Sequence, residues 1–332
     1  MATTVAYTQT QEFEETSSTV DWVIVLEVVL GVIGTVGNSV ICAVIIRVKS
    51  MHSLTNYLIL SLAIADLLSS ILLIVNVFPV EAAYLDVPDS AILAELFCRF
   101  YNNLFFFWVC LTASVFNLVC VTIERFFALV FPLYYERHFT SGKVWVMIAG
   151  TWVVSFIQEF AAPFVNSYDS DIHQCTYGFP DTASQRLNGV LIFLISYLIP
   201  LIFMIYSYNR ILQNLKIDAG KQSPMNAAQA MTLLNARKRV ISVLLIVLGA
   251  FCVLWTPNQV VYLFQNFDIE LVAVSSVWYK VFRLMAQSNS VVNSFIYGYK
   301  YKKFRKAVRL LFGRYFCSNE VGLDDIGTTG SF

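Results

Sequence analysis

Residues 98–132 read CRFYNNLFFFWVCLTASVFNLVCVTIERFFALVFP and decide how this chain folds. The stretch is apolar over most of its length and ends near two adjacent ionisable residues, Glu124 and Arg125. At about 1.5 Å of rise per residue, a helix from Cys98 to Arg125 is about 40 Å long, close to the thickness of a bilayer with its head groups. We therefore predict a membrane-spanning helix with the cysteine at one membrane face and the charged pair at the other.

The charged pair has two interpretations. An ionisable group in or near hydrocarbon is costly unless it is partnered or hydrated, so its retention indicates a function. Alternatively, the Arg125 side chain simply reaches the head groups and ends the helix at the interface.

The composition extends the membrane prediction to the whole chain. The 332 residues are 58% hydrophobic and 13% charged, which is too apolar for a soluble protein of this length. A net charge of zero excludes a generally basic nucleic-acid binder. The seven cysteines form no CxxC pair or Cys/His cluster, so neither a zinc site nor a dithiol is indicated. Seven apolar segments long enough to cross a bilayer lie at about 22–46, 57–80, 96–130, 144–165, 187–212, 238–264 and 271–297.

The charged residues between these segments orient the chain. Basic residues collect in alternate connections: Arg47, Lys49, Arg137, Lys143, Arg210, Lys216, Lys221, Arg237, Lys238, Arg239 and the run from Lys300 to Arg309. Since short cytoplasmic loops carry the excess of Lys and Arg, these connections are predicted to be cytoplasmic. The opposite side is acidic, and the N-terminus is predicted to lie outside the cell.

The ends of the chain differ from the spans. Residues 1–21 are polar and acidic and are predicted to form a disordered extracellular tail, with the bundle over 22–297. Residues 298–317 alternate bases with Tyr301, Phe304 and Val308, the pattern of an amphipathic helix on an anionic lipid surface. Cys317 is a palmitoylation candidate or a free thiol, and 318–332 are predicted to form a cytoplasmic tail. The fold class is thus an all-α membrane protein, a seven-transmembrane helix bundle with a C-terminal amphipathic helix.

Several polar residues fall at one depth inside the spans: Asn38, Asp66, Ser114, Asn289, Ser290 and Asn293. A lone carboxylate such as Asp66 at that depth must be protonated or bind a cation, and oxygen ligands suit sodium. Hydrogen bonding between helices is the alternative explanation for the Asn and Ser residues, although not for Asp66. We therefore expect no cofactor apart from a sodium ion bound at Asp66 with Ser114, Asn289, Ser290 and Asn293.

Two prolines lie inside spans and are expected to bend them. Pro200 falls in the fifth segment and Pro257 in the sixth, where each frees a carbonyl. Trp255 precedes Pro257 by two residues, and Phe251 lies one turn deeper. These four residues are the candidate activation switch, although an aromatic side chain in a membrane core is often only packing.

The motifs together resemble the rhodopsin-like, or class A, G-protein-coupled receptors over about residues 22 to 317. In chain order the matching residues are Gly37, Asn38, Asp66 after LAIA, Cys98, Glu124, Arg125, Phe126, Trp152, Pro200, Tyr208, Phe251, Trp255, Pro257, Asn293 and Tyr297. The departures are Leu254 for the usual Cys, Ser294 for the usual Pro, and Arg237 where many members carry an acid. Arg237 suggests that the ion lock between the third and sixth helices is absent.

The resemblance implies several roles. It implies a disulfide from Cys98 to Cys175 and coupling to a heterotrimeric G protein through Glu124, Arg125, Tyr208 and Tyr297. It also implies a plasma-membrane receptor rather than an enzyme, with arrestin, receptor kinases and membrane lipid as further partners and no nucleic acid. Activation is expected to move the sixth helix outward about Pro257, which releases Arg125 to contact the G protein.

The ligand is less constrained by the sequence. Phe107 stands where amine receptors carry Asp, and Gln287 stands where opsins carry the retinal-linking Lys, so we expect neither class. Candidate ligand-binding residues in the outer half are Asn103, Phe107, Trp108, Glu159, Gln259, Tyr262, Arg283 and Gln287. This polar and aromatic pocket under acidic loops favours a neuropeptide with a basic group. A lipid or other small non-amine ligand is the alternative, and a seven-helix transporter, channel or enzyme is a third class that lacks internal repeats and a catalytic constellation.

Two further charges, Glu27 and Arg283, lie inside the first and seventh segments. In the family's arrangement these helices are neighbours, so the two side chains are expected to pair near the pocket rim. The alternative is that Arg283 receives a ligand carboxylate while Glu27 reaches the head groups.

Overall fold

The computed structural model describes residues 22–77, 86–220, 227–273 and 276–316, most of which are helical. Eight principal helices follow one another: α1 Trp22–Arg47, α2 Leu54–Leu72, α3 Phe105–Val130, α4 Ser141–Glu159, α5 Ile199–Gly220, α6 Ala227–Gln265, α7 Val277–Lys300 and α8 Lys302–Phe316. Within the described ranges, six segments containing α1 to α6 are long and apolar enough to cross a membrane. The chain forms the predicted seven-helix membrane bundle, with α7 as its most polar member.

The polarity of α7 is explained by its place in the bundle. It carries Lys280 and Arg283 together with several Asn, Gln and Ser side chains, which lower its hydropathy below that of the other spans. It packs against α1, α2 and α6, and its residues Gln287, Asn289 and Asn293 are buried. Those polar groups therefore face other helices instead of lipid.

Two helix boundaries differ clearly from the prediction. α6 begins at Ala227, whereas hydropathy placed its start at 238, because residues 227–237 favour a helix but include Gln, Asn and Arg. α7 begins at Val277 instead of 271, where the Ser276 side chain accepts a hydrogen bond from the Tyr279 N–H at 3.3 Å. Hydropathy thus missed the N-terminal extension of α6 and placed the start of α7 too early.

The helix predicted to run from Cys98 is interrupted before α3. Cys98 lies in a π-helical segment, Phe97–Asn102, which follows the short helix Ala91–Leu96. Leu104 then adopts a left-handed conformation with a φ of 59°, and the Asn103 carboxamide oxygen accepts the Phe105 N–H at 2.8 Å. This local hydrogen bond competes with the helical one, so α3 starts afresh at Phe105. The whole of Ala91–Val130 still serves as one membrane span.

A two-stranded antiparallel hairpin covers the outer side between α4 and α5. Its strands are β1 Asn166–Asp169 and β2 Gln174–Tyr177, which follow the short helix Ala162–Val165. The next helix, Thr182–Phe193, is capped by Asp181, whose carboxylate accepts the Ser184 N–H at 2.8 Å. This hydrogen bond lowers the pKa of Asp181.

The fifth span continues through a π-helical segment, Leu194–Leu198, into α5. Pro200 is the second residue of α5. A π-helical turn precedes this proline, as expected where a ring without an N–H disturbs the hydrogen-bond ladder. α2 similarly ends in a π-helical segment, Leu73–Val77.

Close backbone contacts hold α1 against its neighbours. A Cβ added to Gly34 would collide with the Ser70 hydroxyl on α2, and one added to Gly37 would lie 2.5 Å from the Ser294 hydroxyl on α7. Small residues of this kind allow helices in lipid to approach closely and pack. The glycines thus hold α1 close to both α2 and α7.

Two short helices and α8 lie on the side predicted to be cytoplasmic. The short helices are Lys49–Met51 and Pro132–His138. α8 buries Phe304 and Ala307 and packs against α1 and α7. Cys317 and the predicted tails, 1–21 and 318–332, lie outside the described residues, as do the side chain of Arg237 and its proposed effect on the ion lock.

Candidate functional site

A cluster of hydrogen-bonded polar side chains surrounds Asp66 in the middle of the bundle. Asp66 is fully buried, and its two carboxylate oxygens accept hydrogen bonds from the Ser114 hydroxyl at 2.6 Å and from the Asn293 carboxamide at 3.0 Å. The three residues come from α2, α3 and α7, so the cluster joins the helices that form the centre of the bundle.

Ser290 on α7 is connected to this cluster through hydrogen bonds with Ser69 and Asn38. The Ser69 hydroxyl donates to the Ser290 hydroxyl at 3.2 Å, and Asn38 donates to the Ser290 carbonyl at 3.2 Å. Asn289 is also buried, but neither its oxygen nor its nitrogen has a hydrogen bond to the described protein. Ser69 was not among the predicted site residues; its position three residues after Asp66 was the signal that would have found it.

The donor set around Asp66 fits a small hard cation. Carboxylate, hydroxyl and carboxamide oxygens are the ligand types that such cations prefer. The Asn293 carboxamide oxygen is buried without a hydrogen-bond partner, which leaves one oxygen available beside the carboxylate. In the described part of the chain, no group of three or more His, Cys, Asp or Glu side chains is placed to hold a metal ion.

The charged pair at the far end of α3 has more partners than the sequence suggested. Arg125 Nε lies 2.8 Å from Glu124 Oε2, while the other Glu124 oxygen accepts hydrogen bonds from Thr55 at 2.9 Å and Tyr135 at 2.6 Å. Glu124 is fully buried, and the Arg125 side chain is 22% exposed. The pair is therefore a structured junction of α2, α3 and the helix Pro132–His138, and the Arg125 side chain is not merely reaching head groups.

The predicted coupling tyrosines are buried near this junction. The Tyr208 hydroxyl on α5 hydrogen-bonds to the Thr122 hydroxyl on α3 at 2.8 Å. Tyr297 on α7 is 7% exposed. Both side chains lie in the core that also contains Leu118 and Ile241.

Two of the candidate switch residues, Phe251 and Trp255, form an aromatic cluster with Tyr197. The ring centroids of Phe251 and Trp255 lie 5.9 Å apart, and those of Tyr197 and Phe251 lie 6.0 Å apart. The Tyr197 hydroxyl also bonds to the Thr256 hydroxyl at 2.6 Å, beside Pro257. This cluster thus connects the π-helical segment before α5 to the part of α6 that its proline weakens.

The outer hairpin is attached to the start of the third span by a disulfide and by hydrogen bonds. Cys98 and Cys175 are disulfide-bonded, as the resemblance implied. Glu95 pairs with Arg99 and accepts the Tyr168 N–H at 2.8 Å, and Arg99 donates to the Pro163 carbonyl at 2.6 Å. The hairpin therefore has a fixed position over the bundle.

The predicted pocket residues occupy several different environments. Glu27 and Arg283 form the expected ion pair, with Oε1 and Nη2 separated by 3.0 Å. Phe107 is 1% exposed and packs against Trp108. Asn103 differs from the prediction, because its oxygen and nitrogen both bond to backbone of its own turn.

The remaining candidates lie on α4, α6 and α7. Glu159 accepts a hydrogen bond from Thr112 at 2.8 Å, and the Tyr262 hydroxyl accepts one from Asn188 at 3.0 Å. Gln259 and Gln287 are buried, and the Gln287 carboxamide makes no hydrogen bond to the described protein.

Comparison with known proteins identifies this arrangement. The model of the "7 transmembrane receptor (rhodopsin family)" matches residues 37–297. The chain belongs to the rhodopsin family of seven-transmembrane receptors. As a class A receptor it is not an enzyme, and it has the extracellular ligand and G-protein partner that characterise the family.

Curated relatives of this receptor divide between two ligand classes. Trace amine-associated receptor 9 of Mus musculus is 28% identical, over 89% of this chain and 84% of the relative. Galanin receptor type 1 of Mus musculus is 27% identical, over 87% of this chain and 82% of the relative. The histamine H2 receptor of Cavia porcellus is also 27% identical, over 87% and 78% respectively. Similarity at this level leaves the ligand to be argued from the receptor's own outer half.

Proposed function

We propose that this receptor binds an extracellular peptide and activates a heterotrimeric G protein by outward movement of α6. The observation that carries the peptide assignment is the spread of charged groups across the outer half. The pair of Glu27 and Arg283 joins α1 to α7, whereas Glu159 lies on α4, which packs against α3. Charged groups on opposite sides of the bundle can contact the two ends of an extended ligand, whereas a small ligand cannot reach both.

Phe107 supports the same assignment. Its buried aromatic ring occupies the place where amine receptors carry an aspartate, so an amine cannot be bound there in the manner of those receptors. The galanin receptor among the relatives is a peptide receptor by name, and the proposed ligand belongs to that class.

The signalling step follows from the buried contacts on the opposite side of the bundle. Arg125 is held by Glu124, and Tyr208 is held by Thr122. Outward movement of α6 about Pro257 opens the space beside Arg125, whose guanidinium can then bind carbonyl oxygens of the G protein. Arrestin and receptor kinases are proposed to act on the same face after activation, with the receptor in the plasma membrane and its N-terminus outside.

Sodium is the proposed allosteric ligand of this mechanism. Asp66, Ser114, Ser290 and Asn293 supply the oxygen donors, and Asn289 is buried on the same helix as the last two. A cation that binds the resting arrangement more tightly than the active one lowers agonist affinity, because a ligand shifts an equilibrium by its differential affinity for the two states.

The test is a screen of transfected cells for calcium and cyclic-AMP responses against a neuropeptide library and a matched library of biogenic amines. A peptide response that requires intact Arg125 supports the proposal. A response confined to the amines or to a lipid contradicts the peptide assignment, and agonist binding without G-protein activation contradicts the proposed coupling.

A further inference from the structure

Glu159 is an acidic side chain directed into the bundle from a helix that otherwise faces lipid over much of its surface. The buried positions of α4 are Val144, Thr151 and Ser155. Glu159 follows Ser155 by four residues and therefore lies on the same face of the helix. Its neighbour Phe160, in contrast, is 61% exposed toward lipid.

One carboxylate oxygen of Glu159 accepts a hydrogen bond, and the other accepts none from the described side chains. Oε1 accepts the hydroxyl hydrogen of Thr112, while Oε2 has no hydrogen bond to the described side chains and is not among their fully buried polar atoms. Glu159 is half-buried as a whole. Because Glu159 lies on the inward face of α4, this second oxygen is available to a partner inside the bundle.

The depth of this carboxylate places it at the base of the outer half. Thr112 precedes Ser114, the partner of Asp66, by two residues, which is about 3 Å along the axis of α3. Phe107 lies about 7.5 Å further outward on the same helix. A ligand group that reaches about one and a half helical turns deeper than Phe107 is therefore at the level of Glu159.

The neighbouring acids do not compete for that role. Glu27 is paired with Arg283, and Asp66, whose two oxygens accept hydrogen bonds from Ser114 and Asn293, belongs to the proposed sodium site. Among the described ion pairs, none includes Glu159. A carboxylate enclosed in a membrane protein needs a cation or a proton, and an ammonium group supplies three donors on a compact charge.

We propose that Glu159 binds the ammonium group of the receptor's ligand, with Thr112 orienting its carboxylate. This inference rests on the proposed receptor function and names the chemical group that the α4 side of the pocket recognises. The ammonium group belongs either to a lysine side chain or N-terminus of a peptide or to a free amine. α4 then replaces α3 as the source of the acid that pairs with a cationic ligand group.

The experiment measures the thermal stability of the purified full-length receptor in nanodiscs. One pair of probes is 2-phenylethylamine and its neutral counterpart 2-phenylethanol. The other pair is a library of blocked tetrapeptides with one lysine each and the same library with norleucine instead. At saturating probe, the ammonium member of at least one pair is expected to raise the Tm by about 2 °C or more, and the neutral member is not.

Three variants test whether the Tm rise depends on Glu159 and Thr112. Glu159→Gln is expected to lose the Tm rise, and Asp89→Asn, which removes an exposed outer acid, is expected to retain it. Thr112→Val keeps the charge of Glu159 and removes the orienting hydroxyl. The probe concentration that gives half of the maximal Tm rise should therefore increase at least threefold. Thr112→Val also tests the proposal if Glu159→Gln does not fold.

The outcomes separate the possibilities. A response to 2-phenylethylamine alone identifies a free amine, and a response to the lysine library alone identifies a peptide. Equal stabilisation by the neutral probes, an undiminished response in both Glu159→Gln and Thr112→Val, or no stabilisation of the wild type by either ammonium probe overturns the proposal. Because the measurement needs no G protein, its failure leaves the proposed coupling intact, and a failure of coupling leaves the binding result intact.

Discussion

In the cytoplasmic half of the receptor, polar side chains bond to one another in compact junctions, whereas in the outer half they are distributed over several helices. Glu124 receives Thr55, Tyr135 and Arg125 within a single junction. Glu27 and Glu159, in contrast, lie on different helices, α1 and α4, and have unrelated partners. The compact half contains most of the family motifs, whereas the outer half contains few of them, among them Cys98 of the disulfide. We therefore predict that coupling uses residues common to the family, while recognition depends on residues particular to this receptor.

The largest expected effect lies in the compact half. Arg125→Ala should abolish G-protein activation, because it removes the guanidinium that is proposed to bind carbonyl oxygens of the G protein. Surface expression should stay near normal, since the Arg125 side chain is partly exposed and Glu124 keeps Thr55 and Tyr135. The measurement is G-protein dissociation by energy transfer, with surface receptor counted by antibody. Full signalling from this variant would contradict the coupling assignment.

The outer half is tested most strongly by its ion pair. Arg283→Gln should destabilise the receptor by about 3–5 kcal/mol, because it leaves Glu27 buried without its cation. The double variant Glu27→Arg with Arg283→Glu should recover the surface expression that each single change loses. Arg186→Gln is the matched control, because its pair with Asp268 is exposed and is worth about 1 kcal/mol or less.

A different result would show that Arg283 binds the ligand and does not mainly stabilise the fold. If Glu27→Gln expresses and responds normally while Arg283→Gln expresses but binds no agonist, Arg283 recognises a ligand carboxylate. The outer half would then contain recognition groups on α7 as well as α4.

The Asp66 cluster lies between the two halves and is tested by sodium binding. Replacing N-methylglucamine chloride with sodium chloride should stabilise the wild-type receptor by about 1.4 kcal/mol at ten times the sodium dissociation constant. Asp66→Asn should abolish this response, and Asp89→Asn should leave it unchanged. The measurement is the thermal unfolding of receptor in nanodiscs. A sodium response that persists in Asp66→Asn would place the cation elsewhere.

The smallest expected effect concerns the contact of Tyr135 with Glu124. Tyr135→Phe removes one of the hydrogen bonds to the buried carboxylate and should cost about 1 kcal/mol, which corresponds to about a fivefold shift in equilibrium. Tyr134→Phe is the control, since that neighbouring ring stacks on His138 and has no connection to Glu124. Nucleotide exchange without agonist should rise in Tyr135→Phe and stay constant in Tyr134→Phe. Equal values in the two variants would show that this hydrogen bond does not restrain the resting state.

Much of the fold was predictable because seven apolar segments and a few motif residues dominate the sequence. The contact between Glu27 and Arg283 was also predictable, because two charges in neighbouring spans have few ways to be satisfied. Thr55 and Tyr135 were missed, because Thr55 contacts Glu124 across 69 residues of chain and leaves no periodic signal. The interruption at Leu104 was missed for a different reason: a local hydrogen bond from Asn103 overrides the hydrophobic pattern there.

The glycine contacts of α1 have a practical consequence for watching the receptor work. Because Gly37 leaves no room between α1 and Ser294 on α7, a bend in α7 at that level must carry α1 with it. The adjacent residue Val36 is 60% exposed on the lipid side of α1, so a fluorophore attached through Val36→Cys touches none of the signalling residues. Such a label reports the rearrangement of α7 from the rim of the bundle, in real time and in a native lipid environment.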